Sequence, residues 1–170
     1  TSKICQEYIE LIYSPEELKI AEQIFRMLAN DAEVLVRATL SESLKLCDEL
    51  PHDIALSLAQ DVLEVATPML EFSSVLTDED LSAIIANKEV QKIVAIARRQ
   101  KISQAIIRDL IETGEEDVVE KVLGRTDYAE NEENFVGLIE HFAADEQSIA
   151  KIIGTTRFPA SIVEKMMHST

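Results

Sequence analysis

A run of basic side chains is the part of this sequence whose residue types could recognise a charged ligand. Between Gln91 and Arg108 the chain carries five cations and no acid, whereas residues 31–90 carry 13 acids against three cations. Guanidinium and ammonium groups bind carboxylates and phosphates through charge-assisted hydrogen bonds. The sequence therefore predicts a basic patch in an acidic body, suited to an acidic protein segment or a phosphoryl group and formed by Lys92, Arg98, Arg99, Lys101 and Arg108.

The same cations have a second interpretation, in which they are internal to the fold. Acids such as Glu64, Glu71 and Asp109 are predicted to lie on adjacent structural units, so Arg98 and Arg99 could pair with them. Such pairs would join the units and leave no site for a partner. We favour this second interpretation, and the patch hypothesis requires at least one of the two arginines to face solvent.

No pattern in the sequence predicts catalysis or the binding of a metal or cofactor. His52, His141 and His168 are far apart, and no H-E-x-x-H, C-x-x-C or G-x-S-x-G motif occurs. Cys5 and Cys47 lie in amphipathic stretches, where cysteine is usually a small buried side chain. We therefore expect no catalytic, metal or cofactor-binding residues, and we expect that the protein is not an enzyme.

The net charge, the hydropathy and the cysteine content indicate which classes of partner and which cellular compartment to expect. A formal net charge of −16 repels phosphate backbones and anionic lipids, so we expect neither a nucleic acid nor a membrane as partner. No apolar run approaches the ~20 residues of a transmembrane helix, and no signal peptide is visible. The two cysteines form no disulfide framework, so the cytoplasm is the predicted location.

Short helices at a regular spacing must position all of these residues. Only 4 Gly and 4 Pro are present, which favours helices joined by short polar links. Apolar anchors recur at separations of 27, 26, 28 and 27 residues, at Ile54, Leu81, Ile107, Phe135 and Ile162. A second series pairs an acid with a valine, at Glu33-Val34, Glu64-Val65, Glu89-Val90 and Asp117-Val118. The repeating unit is thus a hairpin of two helices that buries its faces by stacking on its neighbours.

The two ends of the chain are predicted to differ from the repeats between them. Ser14 and Glu17 form a capping-box pattern around Pro15, which predicts a helix over residues 15–29 that buries part of its surface. The expected buried residues are Leu18, Ala21, Ile24, Phe25 and Leu28. We therefore expect capping helices over residues 1–30 and repeats over residues 31–170, all in one domain. An exposed apolar face at Ile162–Met167 would be covered by a second copy of the chain or by a further C-terminal domain.

Four segments carry a resemblance to known repeat families. Asp31 and, six residues later, Arg37 have the spacing found in HEAT-type repeats, where these side chains form a ladder between units. The segments Asp61–Leu70, Ser74–Leu81 and Ile96–Arg99 resemble a bacterial, largely alphaproteobacterial, HEAT-like family called domain of unknown function 2336. The resemblance implies an all-α, right-handed α–α superhelix of the HEAT/ARM solenoid type. It implies no activity, because the family has none assigned.

The expected function is that of a non-enzymatic interaction scaffold, because solenoids present an extended surface for binding. A protein is the expected partner, and a homo-oligomer formed through the C-terminal end is the alternative assembly. A HEAT-like nucleic-acid-binding or repair enzyme is the alternative function. The net charge of −16 and an aromatic content of 5% disfavour it, because such proteins need a basic face with stacking side chains.

Overall fold

The computed structural model describes residues 14–123, and every regular element within them is an α-helix. In chain order the eight helices are α1 (Pro15–Ala29), α2 (Val34–Leu44), α3 (His52–Gln60), α4 (Leu63–Phe72), α5 (Asp78–Ala86), α6 (Val90–Ala97), α7 (Gln104–Glu112) and α8 (Glu116–Leu123). No strand occurs in this part of the chain. The predicted all-α class is confirmed for residues 14–123.

The predicted capping box at Ser14 and Glu17 begins α1, and local signals of the same kind bound two other helices. The Ser14 backbone N–H donates to Glu17 Oε2 at 2.7 Å, and Ser14 Oγ accepts from the Glu17 N–H at 3.3 Å. Thr77 and Asp80 make the same reciprocal pair at the start of α5. These bonds satisfy N–H groups that have no partner in the first helical turn. Gly114, with φ of +68°, ends α7 in the left-handed conformation that glycine adopts without strain.

The chain divides into two compact units, one ending at Ile106 and the other beginning at Ile107, within α7. In the first unit, consecutive helices pack as pairs: α1 with α2, α3 with α4, and α5 with α6. Helices α2, α4 and α6 also contact one another in that order, and α1 contacts α3. In the described part of the second unit, α7 and α8 bury Ile107, Leu110, Ile111, Val118, Val119 and Val122.

The repeat anchors lie in the cores of these units. Ile54 and Leu81 are 1% and 3% exposed on α3 and α5, and Ile107 is 2% exposed on α7. Phe135 and Ile162 lie outside the described residues. Burying a side chain of this size stabilises the fold by roughly 2 kcal/mol relative to leaving it in water. Aliphatic packing therefore accounts for the near-constant anchor spacing.

Helix α1 differs from its predicted burial. Of the five residues expected to be buried, Phe25 is buried, Leu18, Ala21 and Leu28 are half-buried, and Ile24 is 49% exposed. The prediction was wrong for Ile24 because α1 packs on α2 and α3 through one face only. The predicted apolar face at Ile162–Met167 lies outside the described residues.

Candidate functional site

Two of the five predicted patch cations are buried. Lys92, on α6, is 5% exposed, and its Nζ lies 3.0 Å from Glu89 Oε2 and 3.4 Å from the carbonyl oxygen of Gln60. Gln60 is the last residue of α3, where carbonyl groups lack partners within the helix and carry partial negative charge. The ammonium group of Lys92 thus joins α6 to the C-terminal end of α3.

Arg99 is 8% exposed and binds backbone carbonyl groups at the end of α4. Its guanidinium donates from Nη1 to Leu70 O at 2.8 Å and to Met69 O at 3.4 Å, and from Nη2 to Ser73 O at 2.6 Å. Burial lowers the pKa of Arg99, and the charge of Asp78 opposes that effect. The planar guanidinium, with several donors in a fixed geometry, is suited to this role. Arg99 therefore serves as a cap for α4 contributed by another helix pair.

The other three cations are exposed but do not complete a single patch with these two. The Arg98 side chain is 53% exposed and forms an ion pair with Glu71 at 3.0 Å. Lys101 is exposed in the first unit, and Arg108 is exposed on α7 in the second unit. Lys92 and Arg99 are thus closed to solvent, whereas Arg98 meets the requirement that at least one of the two arginines faces solvent, and partner binding by these cations stays a prediction. The Arg98–Glu71 pair matches the internal pairing that the sequence also allowed.

Polar contacts join successive helix pairs at a spacing close to that of the repeat. Arg26 Nε lies 2.7 Å from Asp53 Oδ2, and His52 Nε2 lies 2.7 Å from Asp80 Oδ2. Ser74 donates to Asp48 across the corresponding links. The partners in these contacts are 27, 28 and 26 residues apart. His52–Asp80 and Asp48–Ser74 therefore connect equivalent places in neighbouring hairpins, whereas Arg26 near the end of α1 contacts Asp53 near the start of α3.

Two further contacts involve α2: one joins it to α4, and the other joins it to Asp61, which precedes α4. Arg37 binds both carboxylate oxygens of Asp61, with Nη2 to Oδ1 at 2.9 Å, and its Nη1 donates to Asp31 O at 2.7 Å. The hydrogen bond from Arg37 lowers the pKa of Asp61, with burial opposing it. Buried Ser41 donates from Oγ to Val65 O at 2.6 Å. Arg37 thus links the carbonyl group of Asp31 to the carboxylate of Asp61, which precedes α4 much as Asp31 precedes α2.

An apolar surface on α1 and α2 is the feature that sequence reasoning missed. Ile20, Ile24 and Met27 are 56%, 49% and 75% exposed on α1, and Leu35 is 72% exposed on α2. Beside them is an open groove of about 370 Å³, lined by Leu28, Leu35, Val36, Thr39, Leu40 and Ser43. Leu28 is one helical turn from Ile24, so the stripe on α1 and the groove form one surface. We call this surface the α1/α2 face.

A signal for this face was present in the sequence. Positions 20, 24 and 27 have the i, i+4, i+7 spacing of one helical stripe, and Phe25 and Ala29 lie on another. Both stripes are apolar, and a sequence alone does not show which of them is covered. The structure shows that the stripe containing Phe25 and Ala29 is buried.

Residues 14–123 contain no candidate metal site and no candidate membrane-spanning helix. Among residues 14–123, no three His, Cys, Asp or Glu side chains lie close enough together to hold a metal ion. None of the helices in the same range has the length and apolar content needed to cross a membrane. Cys47 is buried at 2% exposure, and Cys5 lies outside the described residues.

Comparison with known proteins gives one match. A family model described as an uncharacterised protein conserved in bacteria, DUF2336, matches residues 65–170. No curated protein and no solved structure is detectably similar to the chain.

Proposed function

The chain belongs to the bacterial family of uncharacterised proteins DUF2336, and we propose that it is a non-enzymatic scaffold that binds another protein in the cytoplasm. The proposed architecture is a right-handed α–α superhelix of the HEAT/ARM type. Two features support it: the packing of α2, α4 and α6 in order, and polar contacts between hairpins at spacings of 26 to 28 residues. In such an architecture each unit contacts its neighbours and leaves an extended surface for partners.

The observation that carries the proposal is the α1/α2 face. Large apolar side chains on a folded surface usually occur singly, and a contiguous patch of them indicates a surface that another molecule covers. Here four such side chains, at 49% to 75% exposure, adjoin an apolar groove. Covering them would remove apolar area from water, at about 25 cal/mol for each Å². The basic segment now has a structural role, so it no longer supports a separate site at Lys92 or Arg99.

The test is affinity capture from a native bacterial host, with the wild-type chain compared with a Met27→Gln/Leu35→Gln double variant. Both side chains are at least 72% exposed, so the variant keeps the helices and loses only apolar surface. Circular dichroism and thermal unfolding should coincide with those of the wild type. We expect mass spectrometry to identify a protein that is enriched by the wild type and lost from the variant.

A matched control is Val62→Gln. Val62 is 50% exposed immediately before α4, outside the groove, and should retain the partner. If no protein is captured, or if both variants capture the same proteins as the wild type, the α1/α2 face is not a protein-binding surface.

A further inference from the structure

The open side of α2 indicates the shape of what covers it. Helix α4 has a helix packed on each side, α2 before it and α6 after it. Helix α2 packs on α4 through one side, while its other side forms the wall of the groove with Leu35, Val36 and Thr39. The side of α2 that faces α4 is covered by a helix, because the ridges of one helix fit the grooves of another. We expect the open side of α2 to be covered in the same way. An amphipathic helix is therefore the shape that fits.

The charges around the α1/α2 face indicate the sign of the charge that the bound helix should carry. Residues 14–44 carry six acids and three cations. Two of the cations are engaged elsewhere, because Arg26 pairs with Asp53 and Arg37 pairs with Asp61. The acids Asp31 and Glu33 lie at the start of α2. Glu42 shares a face of α2 with Leu35 and Thr39, at the i+7 and i+3 spacings, but it is paired with Lys45 at 2.5 Å, so Asp31 and Glu33 form the acidic edge. The apolar groove thus has an acidic rim.

Charge also decides between candidate occupants. Residues 1–13 of the chain carry Glu7 and Glu10 against Lys3, and a second copy of the chain carries a net charge of −16. Either would bring acids to an acidic rim, which is unfavourable. A helix with an apolar stripe and Lys or Arg on its polar side would place opposite charges together. It would also be attracted at long range by the acidic body.

We propose that the α1/α2 face binds an amphipathic helix of a partner protein, with an apolar stripe against Leu28, Leu35 and Leu40 and a cationic polar side toward Asp31 and Glu33. This inference rests on the proposed scaffold function and specifies the partner's chemistry. The stripe on α1 from Ile20 to Met27 spans about 10 Å, so two to three turns of helix make the contact. Recognition would use anchors at i, i+3 or i+4, and i+7 of the bound helix.

The experiment uses the full chain and two labelled peptides of about 14 residues, each ~21 Å long as a helix. They share one apolar stripe and differ in the polar side, which is Lys and Arg in one and Glu in the other. Fluorescence anisotropy should show saturable binding of the cationic peptide and at least about tenfold weaker binding of the anionic one. The affinity for the cationic peptide should fall as salt rises, because Glu33 is exposed and Asp31 is only half-buried.

Variants that change no charge separate the groove from general attraction to an acidic protein. Met27→Gln/Leu35→Gln should weaken the cationic peptide by about tenfold or more, because apolar anchors contribute most of the binding energy. Val62→Gln should leave binding unchanged. Equal binding of the cationic peptide by the wild type and the double variant would overturn the proposal, because adsorption by charge alone would then explain it.

The other occupants give distinct results that also overturn the proposal. If peptide binding occurs only after removal of residues 1–13, the chain's own segment occupies the face. If light scattering gives a dimer that the double variant dissociates, a second copy of the chain occupies the face.

If the double variant loses a captured native protein but neither peptide binds the wild type, the scaffold function stands and the partner chemistry is wrong. If the cationic peptide binds at the groove but no native protein is captured, the scaffold function fails separately.

Discussion

Arg37 binds both carboxylate oxygens of Asp61, 24 residues later in the chain, and so joins α2 to the residue that precedes α4. The side chains are 14% and 16% exposed, and the same guanidinium also donates to the Asp31 carbonyl group. By contrast, Arg26 and Asp53, which join α1 to α3, are 42% and 60% exposed. Both ion pairs join the α1/α2 hairpin to the α3/α4 hairpin, but they differ in their access to water.

This difference in exposure predicts different effects of removing each arginine. Arg37→Met should lower the urea midpoint of unfolding more than Arg26→Met, because Asp61 and the Asp31 carbonyl group lose a shielded donor. Arg37→Lys should be intermediate, since an ammonium group cannot make the two-point contact. Urea titration followed by circular dichroism measures all three. In a double-mutant cycle with Asp61→Asn, additive effects would show that the pair is not coupled.

The same pair predicts a dependence of stability on acid. The hydrogen bond from Arg37 lowers the pKa of Asp61, and the hydrogen bond from Arg26 lowers the pKa of Asp53. An unfolded aspartate titrates near 3.9, so these groups contribute stability that is fully present above about pH 5 and is lost as pH falls through their folded values. The difference in unfolding free energy between wild type and Asp61→Asn should therefore shrink below about pH 4. A difference that stays constant down to the acid transition would contradict the assigned pKa shift.

Arg98 and Arg99 are adjacent in sequence, and we expect substitutions of them to have very different effects. Arg99→Met leaves the carbonyl groups of Leu70 and Ser73 without that donor in a buried place, so stability should fall by about 3 kcal/mol. Arg98→Gln removes only an ion pair whose arginine is 53% exposed, and should change stability by no more than about 0.5 kcal/mol. Chemical unfolding of both variants gives the comparison. Similar losses at the two positions would mean that Arg99 does not cap α4.

Lys88 is a position where a substitution should stabilise the protein. It lies between α5 and α6 with φ of +60°, a conformation that is unfavourable for a side chain with a Cβ atom. Lys88→Gly should raise the unfolding free energy by about 0.5 kcal/mol, after the larger freedom of glycine in the unfolded chain is subtracted. Thermal unfolding provides the measurement. Asn87→Gly is the control, because Asn87 has φ of −71° and the change there should destabilise.

Local chemistry made several features of the fold predictable. Ser14 with Glu17, and Thr77 among acids, begin helices because their side chains bond N–H groups within a few residues. The repeat anchors Ile54, Leu81 and Ile107 are buried because a helix with a regular apolar stripe covers that stripe by packing on another helix. The candidate site was less predictable. Ile24 belongs to one of two apolar stripes on α1, and the choice between them depends on where α2 and α3 pack.

The sequence by itself therefore determined that residues 14–123 are helical, where α1 begins and ends, and that buried anchors recur about every 27 residues. These properties depend on capping, turn residues and apolar periodicity, which act over short stretches of chain. The tertiary structure alone decided the environment of each charged or apolar side chain. Arg98 and Arg99 follow the last residue of α6, and their side chains lie in different surroundings. Arg99 thus reaches the carbonyl groups of α4 while Arg98 remains half in water, and the same packing leaves Ile24 and Leu35 exposed because their neighbours lie on other faces.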